Sequence, residues 1–328
     1  MKVKIIIGIG IVTLATAIFI FMKPKSFESK MIEKLESVDS YILEGNMEIM
    51  KGEDIRSYSL EVGYKKSDND FFKVSLKDKE LNQEQIILRN TEGVFVITPN
   101  LNQIFKFEGE WPMNTPKPYL LQTICNILKQ DDAILKKEKK GYLIEANVSY
   151  PGNDSFHHQQ IYFDSDGKLE WLQIFNEDNV VELKIVFSKV EYNLKMDNEY
   201  FITPSVLEQK ASLNIIQEED LPLYPVNVFS SKLSNVNTIQ VHGKTKYVLE
   251  YEGEKNFTVI QTISKKEETT KTVIMPGEMM DVLDIIGVYD GNHLEAVYNE
   301  IEFSVYSDDL GPDEMMKVIQ SMQVAVMK

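Results

Sequence analysis

A single cysteine, Cys125, stands in 328 residues. No disulfide can close within one chain, and a multi-cysteine metal site is excluded. An exported bacterial protein can do without disulfides, so the count leaves the compartment open. Histidine is scarce too, four in all, and no HxH or HExxH spacing occurs. That removes the usual helical zinc motifs. Positive charge is in deficit: 35 Lys and Arg against 51 Asp and Glu, a net charge of −16. Nucleic-acid binding needs a basic surface that displaces counterions, so that class is excluded. Broad electrostatic docking on anionic lipid is disfavoured for the same reason. No P-loop, no GxSxG elbow and no GxGxxG after a strand is found, which removes the common phosphate-cradling and acyl-transfer signatures.

Long apolar runs are missing except at one place. Lys2 and Lys4 precede the run Ile5 to Met22, and Lys23, Pro24 and Lys25 follow it. As a helix this run spans roughly 27 Å, close to the ~30 Å hydrocarbon core. The expectation is an N-terminal membrane-spanning helix, residues 1–25, with the bulk of the chain outside the cytoplasm. The competing reading is a cleaved signal peptide. Ala15-Thr16-Ala17 has the small-x-small form, but it lies inside the apolar run, whereas a cleavage site follows such a run. No cysteine lies near it to carry a lipid.

The remainder is ordinary for a folded protein, 43% hydrophobic and 26% charged, so global disorder is excluded. Ser26 to Asp39 reads as a short amphipathic helix, with Phe27, Met31, Leu35 and Val38 at spacings of three and four. The period then becomes two. Tyr41 to Ile49, Arg56 to Tyr64, Tyr142 to Val148 and Val181 to Phe187 alternate apolar with polar, the mark of antiparallel strands with one buried face. Asp164-Ser165-Asp166-Gly167 joins Ile161-Tyr162-Phe163 to Leu169-Glu170-Trp171-Leu172 as a hairpin. A proline-rich loop, Gly109 to Pro118, leads into an apolar helix, Tyr119 to Lys129. Pro118 suits its first turn. Its stripe at Leu120, Leu121, Ile124, Cys125, Ile127 and Leu128 is wide enough to need an apolar surface beneath it, and the concave face of the sheet is that surface.

Beyond about Pro204 the texture changes. Gln217 to Pro225 reads as a domain edge, new strands follow at 247–251, 256–260, 271–274 and 301–306, and Gly311-Pro312-Asp313-Glu314 opens a terminal helix. The expected fold is α+β and mostly β. It comprises the membrane helix (1–25), a curved antiparallel incomplete β-barrel with a helical lid (26–205) and a small C-terminal α+β domain (206–328).

Asn46-Met47-Glu48-Ile49, the stretch Thr98 to Phe107, Trp111-Pro112 and Pro118-Tyr119-Leu120-Leu121 together resemble the LolA/LolB-like superfamily. More narrowly, they resemble its sporulation and germination branch in Gram-positive spore formers, of the GerS and YdcC type. The resemblance runs from about Phe27 to Pro204. It implies an incomplete barrel with a lid over an apolar cavity. Carriers of this fold hold acyl chains there, and GerS-type members act as partners of a spore-cortex amidase. The chain departs from lipoprotein members in lacking the lipidated cysteine, a role the membrane helix would take.

The residue-level chemistry points away from catalysis. His157 and His158 are adjacent, and adjacent strand residues face opposite ways. Asp164 to Gly167 imitates the start of a calcium loop, but Phe175 stands where an EF-hand needs its bidentate Glu. Cys125 lies on an apolar helix face, the setting of an inert thiol. Lys265-Lys266-Glu267-Glu268 reads as a solvated turn. No catalytic residue, metal ligand or cofactor is expected. The expected binding surface is the lid and apolar cavity, built from Phe105, Phe107, Trp111, Tyr119, Leu120, Leu121, Ile124, Leu128 and Trp171. Two occupants fit: a protein partner such as a cell-wall amidase, or an acyl chain.

Overall fold

The computed structural model describes residues 27–51, 54–113, 115–207 and 216–324. The apolar run at Ile5 to Met22 lies outside them. Among the described residues no helix is long and apolar enough to cross a membrane. Among the described residues, those up to Ser37 belong to one compact unit and those from Val38 onward to another. The first contributes helix α1 (Phe27–Glu36), the amphipathic segment expected from the spacing of Met31 and Leu35.

The second unit holds two large sheets. The first has twelve strands among the described residues. Eleven come from one continuous stretch: β1 (Ser40–Lys51), β2 (Asp54–Lys65), β3 (Phe71–Asp78), β4 (Glu84–Asn90), β5 (Gly93–Thr98), β6 (Gln103–Phe107), β7 (Ile134–Lys137), β8 (Gly141–Asn147), β9 (His158–Asp164), β10 (Leu169–Phe175) and β11 (Val181–Tyr192). Helix α2 (Leu121–Leu128) lies between β6 and β7. The strand order starts at β6, runs back through β5, β4, β3 and β2 to β1, crosses to β11, and continues through β10, β9 and β8 to β7. All these neighbours are antiparallel.

The period-two patterns translate directly into faces. In the register of β1 with β2, Tyr41 stands opposite Tyr64, Leu43 opposite Val62 and Met47 opposite Tyr58. All six are buried. This inner face continues through Phe72, Val74 and Leu76 of β3 to Val96 and Phe107 at the far end. The outer face carries polar residues over much of its width. Near β4 to β6 it turns apolar, where Phe71, Leu88, Phe95, Ile97 and Ile104 pack under Phe201 and Leu207.

The turn at Asp164 to Gly167 is a hairpin: the Asp164 carboxylate accepts the amides of Asp166 and Lys168, each at 2.8 Å. The two histidines differ from expectation. Only His158 belongs to a strand, so the pair is free to turn, and the rings meet edge to face with centroids 5.7 Å apart. His158 stacks on Phe175. Among the described residues no group of three or more metal-ligating side chains occurs.

The second sheet has seven strands among the described residues, in the order β13 (Ser231–Val241), β14 (Lys244–Gly253), β15 (Phe257–Ile263), β20 (Ile301–Tyr306), β19 (His293–Tyr298), β18 (Ile285–Asp290), β17 (Glu278–Val282). Helix α3 (Pro312–Gln320) buries Met315, Met316, Val318 and Ile319 in a core with Leu249, Val259, Phe303 and Val305. The short pair β12 (Tyr224–Pro225) and β21 (Met322–Gln323) closes this part.

One strand crosses over. The stretch at Lys271 lies in sequence among the strands of the second sheet and is expected there. Instead β16 (Lys271–Met275) pairs with β6 of the first sheet, and it does so in parallel. The reason lies in the neighbours: β6 is otherwise an open edge, and β15 already has β14 and β20 on its two sides. An extended segment passing β6 gains hydrogen bonds there that its own sheet has no place for.

Candidate functional site

The inner face of the large sheet is covered in two ways. Near β1 and β8 the cover is helix α2. Its Leu121, Ile124, Cys125, Ile127 and Leu128 are all buried. Tyr41 fixes its start, donating to Gln122 Oε1 at 2.8 Å and accepting the Leu121 amide. The Tyr41 ring stacks on Tyr64 at 5.1 Å. Burial pushes the Tyr41 phenol well above its ordinary pKa, so it remains a neutral donor.

At the other end the cover is the second sheet, and there a cavity of about 300 Å³ remains. The alternation along β5 and β6 puts Val96, Thr98, Gln103, Phe105 and Phe107 on one side of it. Ile260, Ile286, Val288 and Val297 of the second sheet form the opposite wall. Strand β16 lies along the flank, with Val273 and Met275 among the lining residues and Ile274 outside, 71% exposed. Lys246, Glu295 and Glu302 add charge to the lining. A volume near 300 Å³ is at the lower end of small-molecule sites.

The β16 strap is held by one residue more than any other. Asn102 adopts a left-handed backbone, φ 58°, a conformation that asparagine tolerates better than other residues with a Cβ. Its side chain accepts from the Thr270 hydroxyl at 2.6 Å and donates to the Glu267 carbonyl at 3.1 Å. The Glu267 amide in turn donates to Leu101 O. The segment 265–268, expected as a solvated turn, is therefore tied to the first sheet at Glu267.

Two polar junctions join the sheets beside the cavity. In the first, Lys117 reaches Asp281 Oδ1 at 2.9 Å, with both side chains almost fully buried. Trp111 Nε1 donates to the other carboxylate oxygen at 2.8 Å. The Lys117 amide donates to Thr123 Oγ1, so the loop and the start of α2 move with the ion pair. Burial lowers the Lys117 pKa, and the Asp281 carboxylate opposes that shift. In the second junction Tyr58 donates to Asp284 Oδ2 at 2.9 Å, and Arg56 donates to Asn299 while its guanidinium lies 5.0 Å from the Tyr298 ring centre.

The residues expected to form one surface are thus distributed. Phe105 and Phe107 line the cavity. Trp111 belongs to the buried junction, its ring edge-on to Phe72. Leu121, Ile124 and Leu128 form the buried side of the lid itself, and Tyr119 and Leu120 lead into it, each of the five at most 2% exposed. Trp171 stands apart: it stacks on Tyr162 and pairs with Val186, which is exposed on the outer face. Sequence reasoning missed Lys117, Asp281, Asn102, Val273 and Met275. The one available signal was Asp281 itself, a lone charge among Met279, Met280, Val282 and Leu283.

Among the described residues the arrangement is that of a mostly β, α+β protein whose open sheet is roofed on one face above a cavity of about 300 Å³. Among known proteins the chain is a homologue of the sporulation protein YdcC of Bacillus subtilis (strain 168), 29% identical over 304 residues that cover 89% of this chain and 88% of that one. The resemblance to YdcC-type sporulation proteins expressed in Asn46 to Ile49 and Thr98 to Phe107 is met by this relative. No family model matches the chain. Among solved structures, a LolA superfamily protein of Nitrosomonas europaea aligns with 55% of this chain at 10% identity and a TM-score of 0.30, over 99% of its own length. The GerS lipoprotein complex with the CwlD amidase of Clostridioides difficile aligns with 52% of this chain, over 99% of the matched chain, at 15% identity and a TM-score of 0.23. Likenesses this low assign neither a function nor a residue role.

Proposed function

We propose that this chain is a sporulation-related binding protein of the cell envelope, without catalysis of its own, and that its guest site is the cavity between the two sheets. The observation that carries the reading is the lining. Phe105, Phe107, Val273, Met275, Ile286 and Val288 supply apolar walls, while the polar residues Gln85, Gln103, Lys246 and Glu302 share the lining with them. Apolar walls with a few placed polar groups define a binding pocket. The buried polar groups nearby, Lys117 and Asp281, are spent on each other and on Trp111, which suits holding two sheets together. Homology to a sporulation protein over nearly the full length supplies the process.

A cavity of about 300 Å³ suits one apolar chain, such as a single acyl chain, better than a multiply acylated anchor. The test is native mass spectrometry on residues 27–328 purified from a lipid-containing host, compared with spectra after denaturation and organic extraction. A stoichiometric adduct that disappears on extraction is expected. A clean protein mass that stays unchanged after incubation with fatty acid sinks the acyl reading. The second reading is a protein partner, a cell-wall amidase, as the resemblance of Thr98 to Phe107 and Trp111-Pro112 to GerS-type proteins implies. It predicts co-purification of an amidase from sporulating cells with the apolar cavity left empty.

A further inference from the structure

Sheet edges in this protein are treated unequally. The first sheet ends in β7, four residues carrying Lys136 and Lys137, and in β16, five residues beginning with Lys271. The second sheet ends on one side in β17, five residues opened by Glu278. Short, charged edges of this kind resist pairing with other chains. The fourth edge breaks the pattern. Strand β13 is eleven residues long, and from Lys232 to Gln240 every residue is exposed. From Leu233 to Val241 it carries no charge, no proline and no glycine, in a chain whose net charge is −16. Leu233, Val236 and Ile239 are each at least 40% exposed. One bulge lies near its start, between Leu233 and Asn235, and the register from Asn235 to Val241 is regular. Among the described residues nothing pairs with its outer side.

The charges beside this edge are polarised along it. At the hairpin end, Ile239 lies opposite Lys246, which also lines the cavity, Val241 lies opposite Lys244, whose ammonium is shared with Glu302 at 3.2 Å, and Lys265 reaches the Gly243 carbonyl. At the other end, Asn235 lies opposite Glu250, and Glu252 lies opposite Lys232, which offsets part of its charge and leaves Glu250 as the uncompensated carboxylate. A partner strand running antiparallel with the same polarity would set its acidic end beside this basic end, and the converse. A second copy related by a two-fold axis has that polarity and that direction by construction. The charge-free centre lets the copies approach without like-charge opposition. We propose that β13 pairs with β13 of a second copy, antiparallel about a two-fold axis, joining the two seven-stranded sheets into one.

The test is sedimentation equilibrium of the full chain in density-matched detergent micelles, at low and high salt. A dimer is expected, weakening as salt screens the polarised ends. Val236→Lys with Ile239→Lys places like charges across the axis and should weaken the dimer roughly tenfold or more, with an unchanged circular dichroism spectrum. Single cysteines at Asn235, Val236, Asn237 and Thr238 supply a second readout. Directly opposed residues in an antiparallel pair lie about 4.5–5.5 Å apart at Cα, within disulfide range, and the native Cys125 is buried. At least one position should cross-link to itself. A monomer at all concentrations overturns the proposal. So does a dimer that survives the double lysine variant and cross-links at none of the four positions, including one held by the N-terminal segment or one in which β13 takes a foreign strand instead.

Discussion

Lys117 and Asp281 are 164 residues apart in the chain and 2.9 Å apart in the fold, both sealed from solvent. Removing one partner leaves the other as an uncompensated buried charge. Lys117→Ala should therefore cost about 3–5 kcal/mol. Replacing both as Lys117→Met with Asp281→Asn should recover much of that, because the asparagine carbonyl still accepts from Trp111. Urea denaturation of the two variants measures the difference. Equal losses in the single and double variants would show that the pair does not act as a unit.

The strap on β6 depends on the side chain of Asn102. Asn102→Gly keeps the left-handed backbone accessible but removes the bonds to Thr270 and Glu267. Two lost hydrogen bonds are worth about 1–2 kcal/mol together, or roughly 5- to 30-fold in a local opening equilibrium. Hydrogen exchange at the amides of 271–275 should accelerate by that factor, while β1 and β2 stay protected. Uniform acceleration over the sheet would mean that Asn102 supports the fold at large.

How much of this was legible beforehand can be argued from single strands. Tyr41, Leu43, Met47 and Ile49 alternate with polar residues, and the period alone puts them on the buried face. The stripe from Leu121 to Leu128 marks a lid in the same way. Period reveals which face a residue takes, and says nothing about which strand comes alongside. The pairing of β16 with β6 was therefore invisible, and so was the meeting of Lys117 with Asp281. Strand β13 escaped for another reason: Ser234, Asn235, Asn237 and Gln240 interrupt any apolar alternation, because neither face of that strand is buried.

Filling the cavity should abolish guest binding without unfolding the protein. Ser304 of β20 is a small polar lining residue. Ser304→Phe adds a ring inside the space and removes little packing. The expected outcome is loss of any co-purified apolar guest, with a thermal midpoint changed by only a few degrees. Retention of the guest in this variant would locate binding elsewhere.

Helix α2 should be stabilising through packing. Ile124 is fully buried, and Ile124→Ala should cost about 2–5 kcal/mol by deleting core atoms and leaving a void. A loss below 1 kcal/mol, measured by chemical denaturation, would mean that the lid is loosely seated.

The acid limb of stability has one identifiable contributor. Glu314 accepts from Lys255 and from the Gly311 amide, and these interactions hold its carboxyl below the ordinary range. A carboxyl with a lowered pKa in the folded state contributes stability above its unfolded value, near 4.3. That contribution fades as pH falls through the lower folded value. The site is partly exposed, so solvent screening keeps the effect small. Wild type should be slightly more stable than Glu314→Gln at neutral pH, with the gap closing below about pH 4. A gap that is independent of pH would assign the effect to capping alone.

The strap also sets an order of manufacture. Every other strand of the large sheet is complete by Tyr192, yet its last one comes with Lys271 to Met275, after β13, β14 and β15 have been made. A chain delivered from its N-terminus must therefore wait with the Gln103 to Phe107 edge bare while it builds part of the other sheet. During that interval the bare edge can recruit a wrong strand. Biogenesis, more than the finished molecule, is where this architecture is most vulnerable, and a chain released before Met275 would leave the ribosome with its first sheet still unfinished.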